Sequence, residues 1–101
     1  MTTKKHIINY FKRFSYTEGD WVPCEIPKCN KSCNDFHHIQ PKGMGGSKSY
    51  EFNGRTYDIN DAHNIIALCR KHHEDAHAHV YSKDELRLIH NYKLSGRNNF
   101  M

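Results

Sequence analysis

The sequence predicts one small α+β domain spanning residues 1–101, and three observations support this fold class. Short strand patterns bounded by turn residues fill the middle of the chain, whereas helical patterns fill its beginning and its last third. Only 37% of the residues are hydrophobic, so the apolar core is small. Nine histidines and four cysteines offer ligands for a structural ion, which would add the stability that such a core lacks.

The first predicted element is an amphipathic helix over residues 3–14. Ile7, Ile8, Phe11 and Phe14 recur at spacings of three and four residues, which predicts one apolar helix face. We expect this face to pack on the rest of the domain.

A knuckle and a strand follow this helix. Pro23 and Pro27 flank Cys24, so the backbone there is expected to be extended and turned, as a metal-binding knuckle requires. Residues 36–39 predict a strand, and the glycines of 43–46 predict a turn-rich loop after it.

A β-hairpin is predicted over residues 50–57. Asn53 and Gly54 form a two-residue turn signal, and aromatic and polar residues alternate on both sides of it.

Two helices complete the predicted elements. The first covers about residues 70–79. Ser82 and Glu85 form a capping box, which opens a last helix that ends near Tyr92 and is stopped by Gly96.

The net charge, the lack of long apolar runs and the number of cysteines limit the classes of function that we expect. Fifteen Lys and Arg residues against eleven Asp and Glu residues give a net charge of +4, which suits a polyanionic partner and also an ordinary small domain. No apolar run reaches the ~18 residues of a membrane span or resembles a secretion signal, so we expect a cytoplasmic protein without membrane association. In a reducing compartment the four cysteines favour zinc ligation, although export would permit two disulfides.

Five motifs occur in a fixed order in the middle of the chain: His37-His38-Ile39, Gly43-Met44-Gly45-Gly46, Asn64-Ile65-Ile66, Leu68-Cys69 and His73-x3-His77. In this order and at these distances they resemble the signature of the HNH endonuclease family. The resemblance covers about residues 24–79. A lone His-His pair would be weak evidence, but five ordered elements are specific.

By this resemblance the α+β fold is a ββα-metal finger with a zinc knuckle and flanking helices, forming a single HNH nuclease domain. A β-ribbon carries His37 and His38, a loop carries Asn64, and the following helix carries His73 and His77.

The resemblance also implies a structural Zn²⁺ held by Cys24, Cys29, Cys69 and His72. The Cys-x4-Cys spacing is within the range of zinc knuckles, and the second pair stands three residues apart at a helix start. Family members commonly have cysteine at the position of His72. Cys33 is an open alternative to Cys24, because Cys29-x3-Cys33 can also form a zinc pair; otherwise Cys33 is a small buried residue.

The implied activity is metal-dependent hydrolysis of a DNA phosphodiester, with double-stranded DNA as the expected partner. His37, His73 and His77 would hold a catalytic divalent ion, which would be Mg²⁺, Mn²⁺, Ni²⁺ or Zn²⁺. His38 would be the general base that takes a proton from the attacking water. Asn64, counted here with His38 as catalytic, would hold His38 in register by bridging backbone groups.

Three other interpretations stay open. A histidine-rich helix can be an exposed polar face, although the upstream His-His pair disfavours that. His73-Glu74-x-x-His77 also matches the metalloprotease pattern, which the preceding Leu-Cys motif and the short chain disfavour. The domain can also be an inactive zinc module that docks on DNA or a protein.

Several further residues flank the expected centre. Five basic residues are candidates for phosphate contacts, with ordinary solvation as the alternative: Arg70, Lys71, Lys42, Lys48 and Arg55. Asp35 is expected either to orient a histidine or to be an exposed turn carboxylate. Four histidines are expected to be ordinary polar residues: His6, His63, His79 and His90.

Overall fold

The computed structural model describes residues 4–41 and 48–96. Within them, three α-helices and two small antiparallel sheets confirm the predicted α+β class, and no helix there is long and apolar enough to cross a membrane. The elements are α1 (Lys5–Arg13), β1 (Asp35–His38), β2 (Ser49–Phe52), β3 (Arg55–Asp58), β4 (Ile65–Leu68), α2 (Arg70–His77) and α3 (Lys83–Leu94), with a 3₁₀ turn at Ala62–Asn64.

The strand with the paired histidines is joined to a strand that was not predicted. β1 and β4 are antiparallel, with Asp35 opposite Leu68 and His38 opposite Ile65. All four residues of β4 are fully buried. A strand buried on both faces shows no alternation of polar and apolar residues, so its sequence contains only a short apolar run.

Two clusters of buried residues pack on the two faces of β4. Ile66 and Leu68 pack with the cysteine-bearing knuckle, α2 and α3, whereas Ile65 and Ala67 pack with Tyr10 of α1. The two outer helices are therefore both held by this one strand.

The predicted hairpin is confirmed as a separate two-stranded sheet. β2 and β3 are antiparallel, with Tyr50 opposite Tyr57. Asn53 and Gly54 have φ values of 51° and 79°, as a two-residue primed turn requires. The ring of Tyr57 stacks on that of His63 with centroids 4.0 Å apart, which anchors the hairpin beside the 3₁₀ turn.

Helix α1 forms where it was predicted, but with a different buried residue. Tyr10 is 0% exposed, whereas Ile8 is 41% exposed, so the expectation that Ile8 belongs to the packed face is wrong. The Tyr10 ring packs edge-on against Phe36 at 5.1 Å. Its hydroxyl can be buried because it donates to a carboxylate oxygen of Glu25 at 2.6 Å.

The two later helices begin as predicted. The capping box of α3 is confirmed, since Ser82 Oγ accepts from the Glu85 N–H and Glu85 Oε1 accepts from the Ser82 N–H, both at 3.1 Å. α3 ends before Gly96, which adopts a φ of 85°. α2 ends at His77 rather than near residue 79, because His79 turns left-handed with a φ of 62°.

A buried polar network ties both outer helices to the knuckle. Glu25 is 4% exposed, and its Oε2 accepts from the Tyr10 hydroxyl and, at 2.8 Å, from the Ala67 N–H. Its Oε1 lies 2.7 Å from Nδ1 of His90, whose Nε2 lies 2.7 Å from the Ala62 carbonyl oxygen. The expectation that His90 is an ordinary polar residue is wrong: it is fully buried, and both ring nitrogens face oxygens.

Candidate functional site

Three cysteines and one histidine converge at the start of α2. Cys24 and Cys29 come from the knuckle, which turns sharply at Lys28 with a φ of 66°. Cys69 is the N-cap residue of α2, and His72 lies in its first turn. One ligand atom from each of the four residues lies within 4.8 Å of the other three.

The distances in this Cys3His cluster fit a tetrahedral zinc site. Cys69 Sγ lies 4.0 Å from Cys29 Sγ, and His72 Nδ1 lies 3.2 Å from Cys69 Sγ and 3.5 Å from Cys24 Sγ. With Zn–S bonds of about 2.3 Å and Zn–N bonds of about 2.0 Å, a tetrahedron has S–S edges of about 3.8 Å and S–N edges of about 3.5 Å. The cysteines are free thiols, so they are available as ligands.

The surroundings of these side chains shift their pKa values in different directions. Burial raises the pKa of the Cys24 thiol to about 12. Burial opposes ionisation of Cys69 as well, but the backbone N–H of His72 and the neighbouring cysteines outweigh it, so the net pKa of Cys69 is lowered. Burial and the adjacent Lys71 lower the pKa of His72, which favours the neutral imidazole that a metal binds.

Cys33 lies outside this cluster. Its Sγ donates to the Asp35 carbonyl oxygen at 3.2 Å and packs with the aromatic residues around Tyr10. Burial raises the pKa of its thiol to about 12. Of the two cysteines left open by the sequence, Cys24 is the one that the structure brings to the other ligands.

Three histidines form a second cluster on another side of α2. One nitrogen from each lies within 4.8 Å of the others, and the Nε2 atoms of His73 and His77 are 3.0 Å apart. His37 lies on β1, and the centroid of its ring is 5.3 Å from that of His73 and 5.2 Å from that of His77. His72 and His73 differ by about 100° around the helix axis, so one short helix serves both clusters.

Asp35 orients one of these rings. Asp35 and His37 are two residues apart on β1 and therefore share the strand face that meets α2. Asp35 Oδ2 lies 3.1 Å from His73 Nδ1, which keeps a proton on Nδ1 and directs the Nε2 lone pair to the cluster. Burial, followed by the neighbouring histidines, lowers the pKa of His37 to about 4, so the His37 ring is neutral at pH 7. Three imidazole side chains are a suitable donor set for a divalent ion.

His38 follows His37 and lies on the opposite face of β1. Its Nε2 lies 2.9 Å from Asn60 Oδ1, and its ring lies 4.6 Å from the ring of His6. Sequence reasoning gave Asn60 no role and treated His6 as an ordinary residue. A single asparagine and a single histidine at these positions carry no recognisable spacing signal.

Asn64 is fully buried. Its Nδ2 donates to the carbonyl oxygens of Gln40 at 3.0 Å and Ile59 at 2.9 Å, and its Oδ1 accepts from the Gln40 N–H at 2.8 Å. These bonds join the segment after β1 to the segment before β4. The role that this geometry supports for Asn64 is positioning, as the backbone-bridging expectation had it.

The two basic residues at the start of α2 face different directions. Arg70 is exposed and lies within about 60° of His73 around the helix. Lys71 lies about 160° from His73 and forms an exposed i,i+4 pair with Asp75 at 3.3 Å. Arg70 is therefore the better placed of the two to contact a substrate bound at the histidine cluster.

The other basic candidates lie earlier in the chain. Lys48 and Arg55 are exposed on or beside the hairpin strands, and the Arg55 guanidinium lies 5.5 Å from the centre of the Tyr57 ring. Lys42 and the glycines of 43–46 lie outside the described residues.

Two antiparallel strands and a following helix, with histidines on the first strand and on the helix, define a ββα-metal domain. A family model described as HNH endonuclease matches residues 19–81, and the protein belongs to this family. The matched range contains both ligand clusters and His38, whereas α1 precedes it and α3 follows it. No curated protein and no solved structure matches the chain significantly.

Proposed function

We propose that this protein is a divalent-metal-dependent endonuclease that hydrolyses phosphodiester bonds of double-stranded DNA. The observation that carries the proposal is the convergence of His37, His73 and His77 from two elements, with His38 next to His37 on the same strand. Family membership supports a nuclease-type function in general.

In this proposal the three histidines hold a divalent ion, which when bound polarises the scissile phosphate and stabilises the departing 3′ oxygen. His38 takes a proton from the water that attacks phosphorus. Asp35 keeps the His73 ring in its ligating orientation. The Cys3His cluster holds a structural Zn²⁺ that joins the knuckle to the start of α2.

The donor atoms also bear on the choice of catalytic ion. Imidazole nitrogen suits Zn²⁺ and Ni²⁺, whereas Mg²⁺ and Mn²⁺ prefer oxygen ligands. With three imidazoles and no carboxylate in the cluster, we propose that Ni²⁺ or Zn²⁺ supports activity at lower concentration than Mg²⁺. Cysteine ligands need reduced thiols, which supports a cytoplasmic location.

Divalent ions are expected to make the protein nick supercoiled plasmid, and a chelator is expected to stop it. His38→Ala should lower the cleavage rate by about 10²- to 10⁴-fold, because only the proton acceptor is removed. Plasmid gels measure the rate, and circular dichroism and Ni²⁺ titration show that fold and ion binding persist.

A matched control for this experiment is His79→Asn. His79 is exposed just beyond α2, and asparagine tolerates its left-handed backbone. His79→Asn should cut at the wild-type rate. Full activity of His38→Ala would assign the base to another group. Failure of the wild type to cut with every ion would favour the alternative, a zinc module that docks on DNA or a protein without cutting.

Arg70→Ala is expected to lower the affinity for DNA and to make that affinity less dependent on salt. Lys71→Ala should have little effect on either quantity. Each neutralised phosphate contributes about −0.9 to the slope of log K against log salt, so loss of one contact should reduce the slope by about one unit. Arg70 lies on the side of α2 that carries His73, and Lys71 lies on the far side, paired with Asp75. Binding of the His38→Ala protein to unrelated duplexes over a salt series measures the effect. A flat salt response, or equal effects of the two substitutions, would contradict a phosphate contact by Arg70.

A further inference from the structure

We propose that Asn60 and helix α1 form a positioning element for the His38 ring. The inference rests on the proposed function, because it concerns the residues that hold the general base of that reaction. α1 lies outside the residues matched by the family model, so its part in the site is an addition to the matched core.

Asn60 selects one tautomer of His38. Its Oδ1 lies 2.9 Å from His38 Nε2, and an amide oxygen only accepts hydrogen bonds, so Nε2 carries the hydrogen. The lone pair of the neutral ring is then on Nδ1. Asn60 thus determines which nitrogen of His38 can take a proton from water, and it also restrains rotation of the ring.

Asn60 is itself held from two sides. Its backbone N–H donates to Asp58 Oδ1 at 2.8 Å, which fixes it to the end of the hairpin. Its carbonyl oxygen accepts from Nδ2 of Asn9 in α1 at 2.9 Å. The helix therefore acts on His38 through Asn60 as well as by direct contact.

His6 supplies the direct contact. His6 and Asn9 are three residues apart and share one face of α1. The His6 and His38 rings have centroids 4.6 Å apart at an interplanar angle of 44°, so His6 covers one side of the His38 ring. The arrangement differs from the role of Asn64, which bonds the backbone of the adjoining loops and not the ring.

The decisive comparison is between Asn60→Ala and Asn60→Asp in the full-length protein. Aspartate keeps the acceptor and alanine removes it. Long-range ¹H–¹⁵N spectra of the His38 ring should show hydrogen on Nε2 in the wild type and in Asn60→Asp, and a mixture of tautomers in Asn60→Ala. With plasmid and Ni²⁺, Asn60→Ala should lower kcat about 3- to 10-fold with KM and Ni²⁺ affinity unchanged, as expected for loss of one hydrogen bond. Asn60→Asp should restore most of kcat.

A second pair of variants tests the helix independently of Asn60. His6→Phe keeps an aromatic ring against His38 and should retain the wild-type spectrum and rate, whereas His6→Ala should broaden the His38 signals and lower kcat. Asn91→Ala, at an exposed position on α3, is the control for substitutions of this kind and should change neither.

The outcomes separate this inference from the proposed function. If the wild type cuts DNA, and Asn60→Ala and His6→Ala leave tautomer and kcat unchanged, the inference is overturned and the function stands. Equal losses of kcat in Asn60→Ala and Asn60→Asp without a change of tautomer would also overturn it. If the wild type does not cut, the proposed function fails, and the His38 spectra alone decide whether Asn60 and α1 hold the ring.

Discussion

Cys69→Ser is expected to release one equivalent of zinc and to unfold the domain. Cys69 is central in the Cys3His cluster, with Sγ 4.0 Å from that of Cys29 and 3.2 Å from His72 Nδ1. Zinc binding by such sites is worth about 10–16 kcal/mol, which is comparable with or larger than the about 5–15 kcal/mol that stabilises a typical domain. Elemental analysis gives the zinc content, and circular dichroism with thermal unfolding gives the state of the fold.

Cys33→Ser is the matched control, because it makes the same change at a partly buried thiol outside the cluster. It should keep its zinc and unfold at close to the wild-type temperature. Loss of zinc from Cys33→Ser together with its retention in Cys69→Ser would reverse the assignment of ligands. Absence of stoichiometric zinc from the wild-type protein would rule out the proposed structural zinc.

Glu25→Ala and His90→Ala are each expected to destabilise the domain by about 3–5 kcal/mol, since either one breaks a buried pair of ionisable side chains. His90 is fully buried and Glu25 is 4% exposed, so water cannot replace the lost partner. Urea unfolding of the two variants measures the loss. Glu18→Ala, at an exposed carboxylate, should change the free energy of unfolding by less than about 0.5 kcal/mol.

The double variant Glu25→Ala/His90→Ala completes the test. Because each single variant already breaks the same contact, the double variant should lose less than the sum of the two, with a coupling of about 0.5–3 kcal/mol. Additive losses, or single variants as stable as Glu18→Ala, would show that the contact between Glu25 and His90 contributes no stability.

Features that depend on neighbouring residues could be predicted from the sequence. The turn at Asn53-Gly54 needs only two residues with positive φ, and the capping box needs only Ser82 and Glu85, three positions apart. Helical pitch alone likewise puts His73 and His77 on one side of α2.

Features that depend on contacts between distant residues could not be predicted from the sequence. The sequence of β4 shows no alternation of polar and apolar residues, because both faces of the strand are buried. Glu25 and His90 are 65 positions apart, and nothing near either residue indicates that it is buried. Tyr10 can be buried because a buried carboxylate accepts a hydrogen bond from its hydroxyl, and the sequence of the helix does not show this partner.

The candidate site also contains features that the sequence predicts and features that it does not. Resemblance to a family pointed to the side chains that converge in the two clusters and to Asn64, but not to Asn60 or His6, which contact the His38 ring. Asn60 contacts His38 from 22 positions away, and His6 belongs to a helix that precedes the family match. The different directions of Arg70 and Lys71 follow from helix geometry and could have been read from the sequence once the helix was placed.

Helix α2 sets the angle between the two ligand clusters. His72 and His73 are consecutive residues that belong to different clusters. The angle between the clusters is therefore set by one step of about 100° around the helix axis. One residue added between His72 and His73 would leave every ligand in the chain and the helix intact, yet it would turn His73 and His77 away from His37. The length of the stretch from Cys69 to His77 is therefore fixed by the need to keep both sets of ligands in place.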